Sequence, residues 1–339
     1  MLAIPCADCT FGCCPGHCPQ QTRPLSIISA HELRQGGKAA MSKILADLEA
    51  YLARQGHVGI YAPLLDECWH QGQGHVVGFT GPPGVGKSTL TGKLLQEWRD
   101  DGYKVAVVAV DPSSRRSGGA LLGDRMRMRT DPEDPNSFVR SLAARDHLGG
   151  LSEFAIYALV LMRACFDRVL VETVGVGQSE TEVADFVDSV VFLAQPGSGD
   201  ALQYMKAGIM EVPHICAVTK SDMGMVAERT LSDMKGSLSL AISDDEWPVS
   251  LHLVSASNGD GMGELKDAID RHGRHVGQTH KYREDMARNI IKGQLLVAFG
   301  KEGFARVVER LDQKLNSPFQ VLDQLTMELR QCLSSHQAS

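Results

Sequence analysis

The chain has 339 residues, 43% hydrophobic and 22% charged, with 34 glycines and 14 prolines, which excludes disordered and collagen-like classes. Its formal charge of −7 argues against a protein built to coat nucleic acid or an anionic membrane. No apolar run approaches the ~18 residues of a membrane helix and no Lys or Arg precedes Arg23 to open a secretory signal, so a cytoplasmic protein without membrane contact is expected.

Residues 1–28 read as a cysteine-rich leader. Cys6, Cys9, Cys13, Cys14 and Cys18 lie there, among a total of 9 cysteines. An odd total with the others scattered is no disulfide framework. Soft thiolates at this spacing make a candidate metal site, set against the plainer reading of a Gly/Pro-rich leader.

Residues 29–73 form a helical segment. Leu33, Met41, Ile44, Leu45, Leu48 and Leu52 recur at helical spacing and predict one helix over 30–55. A short helix over 64–69 follows, stopped by Gly72-Gln73-Gly74.

The pattern then changes. Short apolar runs over 76–80, 105–110, 169–171, 190–194, 215–218 and 251–254 alternate with stretches long enough for helices, such as 88–100 and 151–165. This predicts an α/β domain over 74–277, a mostly parallel sheet flanked by helices. From 278 to 339 the strand runs cease. Helices over 282–300, 303–315 and 318–333 make a C-terminal arm that folds back on the domain or pairs with a second subunit.

The first strand runs directly into Gly81-Pro82-Pro83-Gly84-Val85-Gly86-Lys87-Ser88, which fits G-x-x-x-x-G-K-[ST]. Glycines let backbone N–H groups turn inward around phosphate oxygens, and the following helix presents its N-terminus, with Thr89 in its first turn. Lys87 would reach the β- and γ-phosphates of a nucleotide, and Ser88 would offer a hydroxyl to Mg²⁺. Asp111 and Glu172 close two of the apolar strands, where ligands of open parallel sheets bind. Asp124 lies in a glycine-bearing stretch suited to a switch, and Gly175 is placed to give an N–H to a γ-phosphate. Ser88 with a subset of Asp111, Asp124 and Glu172 would satisfy Mg²⁺.

After the run 215–218 comes Thr219-Lys220-Ser221-Asp222, a variant of N-K-x-D with Thr in the Asn position. A carboxylate at Asp222 can accept from both N1–H and the 2-amino group of guanine, whereas adenine offers neither donor. A buried Asp there without those donors would be left unpaired, which favours GTP and GDP. Lys220 would lie over the base plane, and Ser255-Ala256 fits the loop closing over it.

Together with Gly81 to Ser88, the block Glu172-Thr173-Val174-Gly175-Val176-Gly177-Gln178-Ser179-Glu180 resembles the MeaB/ArgK-type GTPases, which include the methylmalonic aciduria type A proteins. Most other phosphate-loop GTPases carry Asp-x-x-Gly there. Residues 196–203 and 206–211 are similar to the family's third switch. The resemblance implies a homodimeric GTPase chaperone that gates cofactor loading into an adenosylcobalamin-dependent acyl-CoA mutase and protects it. It also implies phosphate contacts from Lys87, an Mg²⁺ neighbourhood of Ser88, Asp111, Asp124 and Glu172, and guanine reading by Lys220 and Asp222. The family usually has Asn where Thr219 stands. Val176 follows Gly175 where Ras-like enzymes have Gln, so slow intrinsic hydrolysis is expected. Competing readings are a metallochaperone GTPase of the hydrogenase or urease maturation type, a protein kinase acting on a transport component, and a binding module with a structural nucleotide.

Overall fold

A computed structural model describes residues 28–112, 131, 133–144, 152–173, 183–197, 212–239, 247–277, 280–312 and 316–337. Its centre is a sheet of β1 (His75–Thr80), β2 (Val105–Pro112), β3 (Ser137–Ala144), β4 (Arg168–Glu172), β5 (Ser189–Ala194), β6 (Ile215–Val218) and β7 (Ser250–Leu253). The strand order is β3-β2-β4-β1-β5-β6-β7 and every pairing is parallel. β1 leads outward past β4 to β2, while β4 leads back across β1 to β5. The crevice between these opposed connections lies at the carboxyl ends of β1 and β4.

Both faces of the sheet are buried, which explains why its strands read as unbroken apolar runs. Val77, Phe79, Val105, Val107 and Ala109 pack under α4 (Lys87–Asp100) and α7 (Met262–Gly277), around a fully buried Trp98. Val76, Ala106, Val108 and Val110 point the other way, onto α5 (Glu153–Cys165). A smaller cluster joins Phe192, Cys216 and Val218 to Ala227 and Met234 of α6 (Met225–Leu238). Burying each large side chain contributes about 1.5–3 kcal/mol.

Three local expectations are corrected. The helix expected over 30–55 is two, α1 (Ala30–Gln35) and α2 (Gly37–Gln55), because Gly37 takes a left-handed φ of 58° at their junction. The helix expected over 303–315 is not formed as such. α8 (His280–Ala305) is interrupted by Gly300 at φ 67°, and a 3₁₀ turn, Val308–Asp312, follows. β3 lies in a stretch for which no strand was predicted. It pairs with β2 alone, and its half-polar sequence suits a sheet edge.

The helices outside the sheet form one layer. α3 (Ala62–Gln71) packs beside α5, and α8 and α9 (Pro318–Gln337) fold back over both, so the arm covers its own chain. Phe319 sets its ring edge-to-face against Trp69 and Tyr157. Asp66 is buried and accepts the N–H groups of Phe319 at 2.8 Å and Gln320 at 3.1 Å, so α3 caps the first turn of α9. Burial pushes the Asp66 carboxyl up despite these bonds, and an Asp66→Ala variant should lose about 1–2 kcal/mol in urea unfolding. An unchanged midpoint would remove the cap from the account of how the arm is held.

At the amino edge of the sheet, opposite the crevice, Ser189 Oγ lies 2.6 Å from both His75 Nε2 and His272 Nδ1. One hydroxyl proton serves one ring, so the other imidazole must donate. His214 stacks on His272 at 4.1 Å and accepts the Val190 N–H at 3.0 Å. Trp247 sets its ring against His272 at 4.8 Å. Among the described residues no helix is long and apolar enough to cross a membrane.

Candidate nucleotide-binding site

The loop after β1 is shaped by glycines in conformations that other residues rarely adopt. Gly81, Gly84 and Gly86 have φ values of 140°, 78° and 105°. At Gly81 the constraint is double, since a Cβ there would sit 2.3 Å from the Leu193 carbonyl oxygen of β5. α4 begins at Lys87 without a side-chain cap, leaving its first-turn N–H groups turned toward the loop.

Lys87 is buried, and its Nζ donates to the carbonyls of Gly81 at 2.6 Å and Pro82 at 3.1 Å. The ammonium is thus held inside the loop's curve. Ser88 Oγ donates to Glu172 Oε1 at 2.5 Å, bringing the start of α4 to the end of β4. Glu172 stands between Phe79 of β1 and Ala109 of β2, and Thr173 locks the exit of β4 by donating its N–H and hydroxyl to Phe79 O. These are hard oxygen donors side by side, a set that suits Mg²⁺. β2 continues beyond the predicted 105–110 to Pro112, so Asp111 lies within the strand opposite Ala143. Its side chain, Asp124, Gly175, the 174–180 part of the family-like block and Cys6, Cys9, Cys13, Cys14 and Cys18 lie outside the described residues.

At the other end of the crevice, Thr219 follows β6 and is only 5% exposed. Its N–H donates to Ala194 O at 2.9 Å. Its hydroxyl donates to Val85 O at 2.7 Å, with Ala194 O also in reach at 3.2 Å. The phosphate loop is thereby tied to the ends of β5 and β6. Sequence reading took the Thr as a missing amide; the signal for its role was a hydroxyl at a strand end facing a loop with free carbonyls.

Lys220 adopts φ 55°, the one positive φ of a non-glycine among the described residues, and its Nζ donates to Gly84 O at 3.3 Å. This turn brings Asp222 round beside the loop after β7. Ser255 is buried and donates to Asp222 Oδ1 at 2.7 Å, and Ser257, 2.8 Å away, donates in turn to Ser255. Asp222 is exposed, contrary to the buried carboxylate expected from the sequence. Its orientation comes from the Ser255 hydroxyl, and solvent reaches its remaining lone pairs. Ser257 was not singled out in the sequence. Ala256 is half-buried beside this pair, and Gly84 and Thr89 are exposed at the mouth.

Three of the described thiols, Cys68, Cys165 and Cys216, do not compete with this site as reactive centres. Burial pushes Cys68 and Cys216 up to about 12 and Cys165 up to about 11, so these thiols stay protonated. The crevice therefore offers backbone donors and an ammonium at one end and an oriented carboxylate at the other. That combination can hold a polyphosphate and read donors on a base.

The comparisons agree in sequence and in fold. The family model described as methylmalonyl Co-A mutase-associated GTPase MeaB matches residues 49–299. A putative GTPase of Pyrococcus abyssi is 36% identical over 277 residues, covering 76% of this chain and 84% of the relative. The mitochondrial methylmalonic aciduria type A homolog of Mus musculus is 42% identical over 200 residues, covering 57% of this chain and 48% of the relative. The crystal structure of a LAO/AO transport system kinase superposes with a TM-score of 0.63 at 28% identity, covering 88% of this chain and 96% of that one. A phosphate loop and strand-end carboxylate in this sheet, matched across most of the chain, make it a member of the MeaB family of P-loop GTPases.

Proposed function

We propose that this GTPase is a chaperone of an adenosylcobalamin-dependent acyl-CoA mutase of the methylmalonyl-CoA mutase type, working as a homodimer. The observation that carries the reading is the match of residues 49–299 to a family described as mutase-associated. The mouse relative, named for methylmalonic aciduria, supports the same partner class. In this reading GTP hydrolysis gates delivery of intact cofactor to the mutase and release of damaged cofactor from it.

The proposed roles combine the described crevice with the sequence motifs. Gly81, Gly84, Val85, Gly86 and Thr89 surround the phosphates, Lys87 neutralises the β- and γ-oxygens, and Gly175 gives an N–H to the γ-phosphate. Ser88 and Glu172, already in hydrogen-bond contact, would hold Mg²⁺ together with Asp111 and Asp124. When bound, the cation would supply charge neutralisation at the phosphates. Asp222 reads guanine under the lead of Ser255, Lys220 covers the base, and Ala256 closes the loop over it.

The test is phosphate release from GTP by the full chain with and without a purified adenosylcobalamin-dependent mutase, with ATP as control. GTP-specific turnover that rises severalfold with the mutase is the expected result. Turnover indifferent to every mutase tried would overturn the partner assignment while leaving the GTPase intact. The likeness to a protein described as a transport system kinase favours one second reading, phosphoryl transfer to a protein. Label from γ-labelled GTP appearing on a polypeptide instead of as free phosphate would select it.

A further inference from the structure

Eleven positions after Glu172 the chain forms a 3₁₀ turn, Val183–Phe186, and reaches Asp188 just before β5. This segment lies on the back of β1, on the face turned away from α4. A Cβ at Gly78 would come within 3.1 Å of methyl groups of both Val183 and Val187, so glycine lets the segment sit directly on the strand. Its far end is pinned. The Asp188 N–H donates to Val76 O at 2.8 Å, and its carboxylate accepts the Val76 N–H at 2.8 Å and Arg163 Nη1 at 2.9 Å. On its outer side the segment meets the C-terminal arm. Met286, Asn289 and Ile290 share one face of α8 by their helical spacing, and Asn289 donates to Asp185 Oδ1 at 3.2 Å.

Two features break the close packing here. Phe186, Met286 and Ile290 border a void also lined by Val160 and Arg163, with room for about one water molecule. Arg163 is the charged residue on its wall, and its Nε is buried without a partner. A wall so largely apolar gives a water few of its usual partners, so protein atoms are what fits the space. At the crevice end, Thr80 follows Gly78 on the same face by strand alternation. It is 1% exposed and its hydroxyl has no partner. Buried donors in folded proteins are nearly always met. A void and two unmet donors along one short segment are what a packing with a second arrangement leaves behind in the first.

We propose that Val183–Asp188 is a relay that hands the nucleotide state of the crevice to α8. Pivoting on Asp188, it carries Phe186 into the void in one nucleotide state and out of it in the other. Val183 meets β1 through methyl contact whereas Asp188 is held by three hydrogen bonds, so motion is easier at the crevice end. α8 follows through Asn289, and through Met286 and Ile290 on the wall of the void. The arm is then the face on which nucleotide state is displayed. This rests on the crevice being the GTP site.

The experiment is hydrogen–deuterium exchange of the full-length protein with magnesium GDP or with a magnesium salt of a non-hydrolysable GTP analogue. Peptides over 283–295 should exchange at rates about fivefold or more apart in the two states, the low end of coupling between sites. Val160→Ile puts one more methyl group into the void, and Asn289→Ala cuts the tie to Asp185. Each should shrink the difference to within about twofold. Protection of 81–90 by either nucleotide should persist in both variants. Val160→Ile should also unfold at a higher urea midpoint, because it fills empty space. A wild-type α8 that exchanges alike in the two states, with 81–90 protected, would overturn the relay and leave the nucleotide site standing. So would a full difference retained in both variants. If neither nucleotide protects 81–90, the nucleotide site fails and the relay fails with it. Asn289→Ala removes only an exposed bond, so it decides the matter should the added methyl of Val160→Ile prevent folding.

Discussion

Replacing Lys87 by alanine should lower kcat/KM for GTP hydrolysis by roughly a hundred- to thousandfold, the range seen when a preorganised charge is removed from a reacting centre. The reason is positional. Lys87 is the first residue of α4, and its ammonium is fixed on the carbonyls of Gly81 and Pro82 at the centre of the loop, where phosphate charge would gather. A charge already held there needs no reorganisation as negative charge shifts between the β- and γ-oxygens. Lys87→Arg should fail as well, because a planar fork cannot take the place of a compact ammonium in so closed a space. Part of the loss belongs to the loop, since two carbonyls lose a donor, a change of about 1–2 kcal/mol in stability. Urea unfolding measures that part separately from the kinetics. A variant that unfolds at the same midpoint and hydrolyses GTP at the wild-type rate would remove Lys87 from phosphate chemistry.

A second large effect is expected far from the crevice, as acid lability. Burial pulls His75 down to about 4 and His272 down to about 2, against 6.5 for an ordinary imidazole. Around His75, Asp188 and Asp270 oppose that shift, while Arg168 and Arg163 add to it. His272 faces His214, His75 and His275, and all three add to its depression. Both folded values lie below the unfolded one, so the unfolded chain takes up protons first as the pH falls. Their contribution is complete above pH 6.5 and is lost progressively as pH falls from there toward 4. Each histidine removes about 1.4 kcal/mol per pH unit, or about 3 kcal/mol by pH 4. The pair together approaches the whole stability of an ordinary domain. Urea midpoints at pH 7.5, 6 and 5 should fall steeply below 6.5. His75→Gln, which cannot protonate, should flatten that slope by about half, which separates the histidines from carboxylates titrating lower down. Midpoints that stay level between pH 7.5 and 5 would contradict the assignment of these rings as neutral and buried.

How much of this was visible in the sequence depended on whether one residue's neighbours in the chain also decide its role. The strands were visible because both faces of the sheet are covered, so between their ends β1, β5 and β6 had no reason to carry polar residues. The phosphate loop was visible because its glycines are forced by backbone geometry, at Gly81 by a neighbouring strand as well. β3 was missed for the converse reason. At the edge it pairs on one side, and Arg140 turns out of it to meet Glu49 at 3.1 Å, which breaks the apolar signal. The break between α1 and α2 was missed because Leu33 and Met41 keep helical spacing across Gly37 although the backbone does not. At the base end the type of each residue was legible but its bonding was not. Thr219 and Val85 are 134 positions apart, and only the fold brings the hydroxyl to that carbonyl. The same holds for Asp222 and Ser255, 33 positions apart.

The cap that Asp66 places on α9 joins residues 253 positions apart. During synthesis α1, α2 and α3 leave the ribosome early, yet the apolar side on which Phe319, Leu322 and Leu329 come to rest stays uncovered until α9 is made. At ordinary elongation rates that interval is on the order of tens of seconds. The nascent chain therefore carries a sticky helical surface from the synthesis of α3 to that of α9, and chaperone demand should fall on the stretch before α9 emerges.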